Sequence, residues 1–254
     1  MQPEAAVYPV VFLGAGPGDP ELITLKGRRL LDAADVVVYA GSLVNAALLD
    51  GIEAVCHDSA PLDLEAIMHL LAEGHRQGLR VVRLHTGDPA IYGAIREQMQ
   101  WLDRVGIPYE VVPGVSSAFA AAAALKKELT VPEVTQTVIF TRQAGRTPVP
   151  ERESLRHLAT AQATMCIFLS VSMIAAVVDD LLAGGYPAVT PVAVVERASW
   201  PDQQIVRGSL ADIAGKIRDS QIRKTAMIVV GPALAEDSRI VSKLYDAGFS
   251  HEYR

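Results

Sequence analysis

The residues best suited to chemistry in this chain are short polar ones set in glycine turns, each turn directly behind an apolar run. Residues 14–19 read Gly-Ala-Gly-Pro-Gly-Asp behind the run 7–13. Residues 86–93 read Thr-Gly-Asp-Pro-Ala-Ile-Tyr-Gly behind 80–84, and residues 112–117 read Val-Pro-Gly-Val-Ser-Ser. Each is a strand entering a bend that opens a helix, and in open α/β sheets ligands bind outside the carboxyl ends of such strands. The first turn has the outline of a dinucleotide fingerprint. That fingerprint needs a third glycine where Asp19 stands, so that helix and strand pack closely and the helix start faces a pyrophosphate. A carboxylate at that mouth repels phosphate and suits a neutral or cationic ligand, while Pro17 stiffens the loop. The implied chemistry is recognition of a small molecule by a cleft not built for a dinucleotide. In the second turn Gly87 permits close backbone approach, Asp88 supplies a negative charge or an N-cap, and Pro89 suits a first helical turn. Ser116 and Ser117 either cap their helix or hydrogen-bond a ligand. A fourth and weaker group is Glu196-Arg197-Ala198 after the run 192–195, with Thr225-Ala226 opening the last strand.

The elements that must hold these turns alternate. Strands are expected at 7–13, 36–39, 54–57, 80–84 and 109–112, with helices at 21–33, 43–49, 63–73 and 91–105. Short, nearly continuous apolar strands separated by amphipathic helices signal βαβ units and a mostly parallel sheet covered on both faces. From about residue 137 the pattern changes. Strand-like runs at 137–141, 164–170, 192–195, 204–207 and 226–231 have fewer crossovers between them, with helices at 151–160, 172–183 and 210–219. The close pair 192–195 and 204–207, joined through Trp200-Pro201-Asp202, reads as an antiparallel hairpin. The expectation is two α/β domains, 1–115 with a mostly parallel sheet and 116–254 with a mixed one, bridged by Pro113-Gly114 and the alanine-rich helix 118–124.

The chain has 254 residues, half of them hydrophobic, and a formal net charge of −6. That length supports one large core or two modest ones. No basic tract occurs, which argues against a nucleic-acid surface. The apolar stretches 115–125 and 165–178 are too short or too often interrupted by Ser and Asp to span a membrane. The opening Met-Gln-Pro-Glu-Ala-Ala lacks the basic start and apolar core of a secretion signal, so a cytoplasmic protein is expected. Cys56 and Cys166 each sit in an apolar run and read as reduced core residues. CxxC and HExxH spacings are missing, and His69 and His75 fall on different helix faces, so no metal site is expected.

Taken together the turns resemble the tetrapyrrole methylases, S-adenosylmethionine-dependent enzymes of sirohaem and cobalamin synthesis. The resemblance rests on Gly-x-Gly-Pro-Gly-Asp at 14–19, Leu25-Lys26-Gly27, Gly-Asp-Pro-x-x-Tyr-Gly at 87–93, Pro-Gly-Val-Ser-Ser at 113–117 and Glu-Arg-Ala at 196–198, in the family's order over nearly the whole chain. Two further stretches resemble the branch that methylates precorrin-4 at C(11): Tyr39-Ala40-Gly41-Ser42-Leu43-Val44, and Thr141-Arg142 followed by Gly145-Arg146-Thr147-Pro148-Val149-Pro150. The terminal Ser242-Lys243-Leu244-Tyr245 and Tyr253-Arg254 fit the same branch. The resemblance implies a homodimer of two-domain chains, with S-adenosylmethionine held in the cleft between the domains and S-adenosylhomocysteine as product. Carried over by position, the donor is contacted by Pro17, by Thr86, Gly87, Asp88 and Ile91, by Ser116 and Ser117, by Ser170, by Ala198, and by Thr225 and Ala226. Some relatives carry Met where Ser170 stands. No catalytic residue is assigned by motif.

A sulfonium donor has no phosphate, which removes the conflict posed by Asp19 and makes Asp88 a suitable partner for its positive groups. The tetrapyrrole is a polycarboxylate and the protein is net acidic, so local cations must offset that field. Arg142 and Arg146, in a loop rich in glycine and proline, are expected to bind substrate carboxylates. Three other readings stand at this point: a sister methylase of different regiochemistry, a non-catalytic tetrapyrrole-binding module, and an NAD-type oxidoreductase. Asp19 speaks against the last, as does the run 36–39 continuing into Ala40-Gly41 without an acidic residue.

Overall fold

The computed structural model describes residues 8–235. The stretches 242–245 and 253–254, and the expected strand start at residue 7, lie outside them. The chain divides into two compact units: the first runs through Ala120 and takes in Ser199–Pro201, the second holds Ala121–Ala198 and resumes at Asp202.

In the first unit five strands, β1 (Val10–Gly14), β2 (Val36–Tyr39), β3 (Val55–Asp58), β4 (Val81–His85) and β5 (Tyr109–Val112), form one sheet in the order β3-β2-β4-β1-β5. Every pairing is parallel. Such a sheet is buried on both faces. One face packs Val10, Phe12, Val36, Val38 and Val81 with Met68 and Leu71 of α2 (Leu64–Arg76) and Leu102 of α3 (Ile95–Val105). The other packs Val11, Leu13, Val37, Val82 and Leu84 with Leu31 of α1 (Leu25–Asp32). Asp63 caps α2 by accepting from Ala66 N at 2.8 Å. Gly74 lets α2 lie close on the sheet, since a Cβ there would meet Val81 Cγ2 at 2.7 Å.

Helix α4 (Ser117–Leu125) leads out of the first unit into the second. There β6 (Val138–Arg142), β7 (Thr164–Phe168), β8 (Pro191–Glu196), β9 (Gln204–Ser209) and β10 (Ala226–Val230) form a sheet in the order β6-β7-β10-β8-β9. Only β6 and β7 run parallel, so the sheet is mixed; the expected hairpin is β8–β9, paired Glu196 to Gln204. Met165, Ile167, Val192, Val194, Ile228 and Val230 pack against α5 (Leu155–Leu158), α6 (Ile174–Ala183) and α7 (Ile213–Ser220) through Leu155, Val177, Leu181, Ile213 and Ile217.

Several boundaries differ from expectation. The helix expected at 91–105 begins at Ile95, because Tyr92 and Ala94 hold left-handed backbone at φ +56° and +49°. The helix expected at 21–33 begins at Leu25, where Thr24 caps it by accepting from Gly27 N. The helix expected at 43–49 is only a short turn, Ala46–Leu49, and the one expected at 151–160 is interrupted at the extended Ser154, which leaves the single-turn α5 between shorter turns. Cys56, expected in the core, is exposed, because β3 is an edge strand with little packed over it, whereas Cys166 is buried.

Candidate functional site

In the first unit β4, β1 and β5 lie side by side, so the three glycine turns leave the sheet together. Gly16 and Gly87 exchange backbone hydrogen bonds, Gly87 N donating to Gly16 O at 2.8 Å and Gly16 N to Gly87 O at 3.2 Å. At the glycines the bends meet backbone to backbone. A Cβ on Gly14 would lie 2.6 Å from Gly114 Cα, and one on Gly114 would lie 2.8 Å from Gly14 Cα and nearer still to Gly87 O. Asp88 ties the group: its Oδ2 accepts from Gly114 N at 2.9 Å and its Oδ1 from Ala90 N at 2.8 Å. Ser116 is buried and caps α4, its Oγ accepting from Ala118 N at 3.3 Å. Thr86 is exposed, and Asp88, Ile91 and Ser117 are half-buried.

Asp19 accepts from Glu21 N at 2.9 Å and caps the turn Pro20–Leu22. The close helix-to-strand approach that a third glycine gives a dinucleotide fingerprint is supplied here by Gly27 of α1, where a Cβ would lie 2.9 Å from Leu13 Cδ1.

Two polar residues alternate inward on β4, and sequence reading did not mark them for function. Arg83 is 6% exposed; its Nε donates to Gln98 Oε1 at 3.3 Å, and one terminal nitrogen donates to Val38 O and to Ser59 Oγ, each at 3.1 Å. Among the described residues no carboxylate pairs with it, and burial pushes its pKa down to about 10. His85 is equally buried, its ring 5.9 Å from that of Phe12. Burial first, and then the Arg83 charge, pull its pKa down to about 3, so the ring is neutral. The signal that could have found the pair is a charged and a titratable residue at i and i+2, both on the buried face of an otherwise apolar strand.

In the second unit the corresponding features collect at one end of the strands. Parallel pairing brings Arg142 beside Phe168, and antiparallel pairing brings Ala226 beside Glu196. Arg197 N donates to Thr225 O at 2.8 Å. Ser170 is fully buried: its Oγ donates to Phe168 O at 2.5 Å and accepts from Gln143 N at 2.8 Å. Gln143 Nε2 also donates to Asp180 Oδ2 at 2.7 Å. Arg142 turns back on its own loop, donating to Thr147 O at 3.1 Å and Pro148 O at 2.7 Å, while Arg146 is exposed. Leu169, Arg197 and Thr225 hold left-handed backbone at φ +54°, +48° and +52°, and Leu169 is 69% exposed. Non-glycine residues in that region are uncommon, and such strain gathers at functional sites.

A family model described as Tetrapyrrole (Corrin/Porphyrin) Methylases matches residues 9–214. The chain belongs to this family. It is 57% identical over 247 residues to the cobalt-precorrin-4 C(11)-methyltransferase of Methanocaldococcus jannaschii, covering 96% of this chain and 95% of that protein. It is 54% identical over 246 residues to the precorrin-4 C(11)-methyltransferase of Pseudomonas aeruginosa, covering 96% and 98%. Among solved structures, a cobalt-precorrin-4 methyltransferase of cobalamin biosynthesis aligns with a TM-score of 0.87 at 48% identity, covering 92% of this chain and 99% of the other. The uroporphyrin-III C-methyltransferase of Thermus thermophilus, solved with S-adenyl homocysteine, aligns at a TM-score of 0.76 and 32% identity, covering 89% and 98%.

The residues that the tetrapyrrole methylase resemblance singled out fall into two groups, one in each unit. Pro17, Thr86, Gly87, Asp88, Ile91, Ser116 and Ser117 stand on the turns that follow β1, β4 and β5. Ser170, Ala198, Thr225 and Ala226 stand at or just past one end of β7, β8 and β10 in the second sheet, and Arg142 ends β6 at the same end; Arg146 lies farther along the Arg142 loop. Among the described residues no cluster of three His, Cys, Asp or Glu side chains is placed to hold a metal ion. No helix among them is long and apolar enough to cross a membrane.

Proposed function

We propose that this chain transfers a methyl group from S-adenosylmethionine to C(11) of precorrin-4, giving precorrin-5 in the assembly of the cobalamin ring. The observation that carries the reading is identity above one half, over nearly the full length, to C(11) enzymes of both the cobalt-precorrin-4 and the precorrin-4 kind.

The turns fit a donor of this chemistry. None of the three turns at 14–19, 86–93 and 112–117 contains Lys or Arg, and two of them carry carboxylates, Asp19 and Asp88. That composition suits a cationic, phosphate-free ligand. In this reading the residues that contact the donor are Pro17, Thr86, Gly87, Asp88, Ile91, Ser116, Ser117, Ser170, Ala198, Thr225 and Ala226. When bound, the donor supplies an electrophilic methyl on a sulfonium sulfur. The chain's own task is alignment, with reacting atoms about 3–3.5 Å apart, which can contribute roughly 7–11 kcal/mol. The Gly16–Gly87 pair and the Asp88–Gly114 hydrogen bond give the donor turns the stiffness this demands. Arg142 and Arg146 offset the charge of the substrate carboxylates against a net acidic protein.

The test is incubation with donor labelled in the methyl carbon, using precorrin-4 in one arm and its cobalt complex in the other, with the product read by NMR. A labelled methyl at C(11) supports the reading. A methyl at another ring carbon points to a sister methylase, and no incorporation in either arm overturns it. A homodimer is part of the same proposal, and light scattering at the mass of one 27.2 kDa chain would refute that part.

A further inference from the structure

We infer that Trp200 is a positioning residue for the methyl-donor turn at 14–19, delivered to it by the connection between β8 and β9. The inference rests on the reading that this turn holds the donor.

Two antiparallel strands can be joined by two to five residues. This connection is longer, and its middle, Ser199–Pro201, belongs to the first unit while the flanking Ala198 and Asp202 belong to the second. The base of the excursion is drawn together by the ion pair of Arg197 Nε with Asp202 Oδ1 at 2.8 Å. The chain turns at left-handed backbone on both Arg197 and Ser199, at φ +48° and +72°. Strain of this kind persists only where surrounding contacts hold it.

Within the first unit the excursion takes hold of three successive residues of the glycine turn. Trp200 Nε1 donates to Pro17 O at 2.9 Å. The indole lies on the bare face of Gly18: a Cβ there would be 2.8 Å from Trp200 Cγ and nearer still to Cδ1 and Nε1. Asp19 N donates to Ser199 Oγ at 3.0 Å. Pro17 has its φ locked by the ring, so holding its carbonyl fixes the remaining free torsion at that residue. Asn45 Nδ2 also donates to Gly18 O, at 2.9 Å. The turn is therefore shaped by side chains from outside it, and Trp200 supplies both a hydrogen bond and the surface against which Gly18 rests.

Trp200→Phe keeps the ring and removes the donor N–H; Trp200→Ala removes both. Calorimetric titration with S-adenosylhomocysteine should show affinity about three- to tenfold weaker for Trp200→Phe, the loss expected for one hydrogen bond, and weaker again for Trp200→Ala. The donor KM should rise in step while the tetrapyrrole KM stays within about twofold of wild type. Gly18→Ala should weaken donor binding strongly by collision with the indole. In the double variant Gly18→Ala/Trp200→Ala that collision is gone, so its affinity should match Trp200→Ala alone. Wild-type affinity in both Trp200 variants, an equal rise in both KM values, or additive losses in the double variant would each overturn the role given to Trp200. If the wild-type protein itself ignores S-adenosylhomocysteine, the donor reading beneath the inference fails instead.

Discussion

Replacing Gly114 by alanine tests whether the three glycine bends act as one rigid backbone unit. The added methyl would lie 2.8 Å from Gly14 Cα, 3.0 Å from Gly14 C and nearer still to Gly87 O. Carbon atoms make ordinary contact at about 3.5–4.0 Å, so the ends of β1, β4 and β5 must part by roughly 1 Å. All the opposing atoms are backbone, and no rotamer change can relieve them. Overpacking of this kind destabilises by about 1–3 kcal/mol, occasionally more, and this site belongs at or above the upper end. Gly87→Ala is the matched control. Gly87 has φ +61°, yet the nearest atom to its Cβ position is Ser117 N at 3.7 Å, so alanine meets a conformational penalty and no collision. That penalty is about 1–2 kcal/mol. Urea unfolding of the two variants should therefore place Gly114→Ala clearly below Gly87→Ala in stability. A displacement of about 1 Å in a positioning element can lower turnover about 100-fold, so kcat/KM of Gly114→Ala should fall by that order. Equal stability of the two variants, with kcat/KM of Gly114→Ala within about threefold of wild type, would refute the rigid-unit argument.

Replacing both Arg142 and Arg146 by alanine should raise the tetrapyrrole KM more than tenfold, on the order of one charged hydrogen bond lost at each, and leave donor Kd nearly unchanged; equal losses would count against their role. His85 stays neutral in the fold down to about pH 3 but protonates near 6.5 when unfolded. Its contribution is therefore complete above about 6.5 and declines as pH falls toward 3, by roughly 3 kcal/mol between pH 7 and pH 4; His85→Phe should flatten that slope in urea unfolding, and unchanged slopes would dispose of the claim. Cys56 should react with a thiol reagent in the native protein while Cys166, whose thiol burial pushes up to about 12, reacts only after unfolding; two fast native thiols would contradict the fold.

The strands were legible because burial on both faces of a parallel sheet demands continuous apolar runs, and glycine turns punctuate those runs at 14–19, 86–93 and 112–117. The change to a mixed sheet showed in the close pair that became β8 and β9. Features set by distant contacts were not legible. Helix α3 starts late because Tyr92 and Ala94 adopt left-handed backbone, a state local propensity disfavours. Cys56 reads as core from its neighbours but sits on β3, and only the strand order reveals that β3 is an edge. Gly27 reads as an ordinary helix residue until Leu13 is seen against it. The excursion of Ser199–Pro201 into the first unit had no local signature beyond Trp200-Pro201-Asp202, which read simply as a turn.

The motif side chains of the three glycine turns divide into two kinds. Both oxygens of Asp88 accept from backbone amides, the hydroxyl of Ser116 caps α4, and the carbonyl of Pro17 is held by Trp200. These residues shape the turns more than they extend from them. Thr86 is exposed and Ser117 half-buried, and they have side-chain surface left for a ligand. In the second unit the same division recurs: Ser170 joins the ends of β6 and β7 through Gln143, whereas Leu169 beside it turns an apolar side chain outward on strained backbone. A motif can thus be strict in sequence because its members brace one another. For a reaction whose main requirement is alignment, bracing the backbone is itself a catalytic contribution, since a turn that drifts by an ångström forfeits most of what positioning supplies.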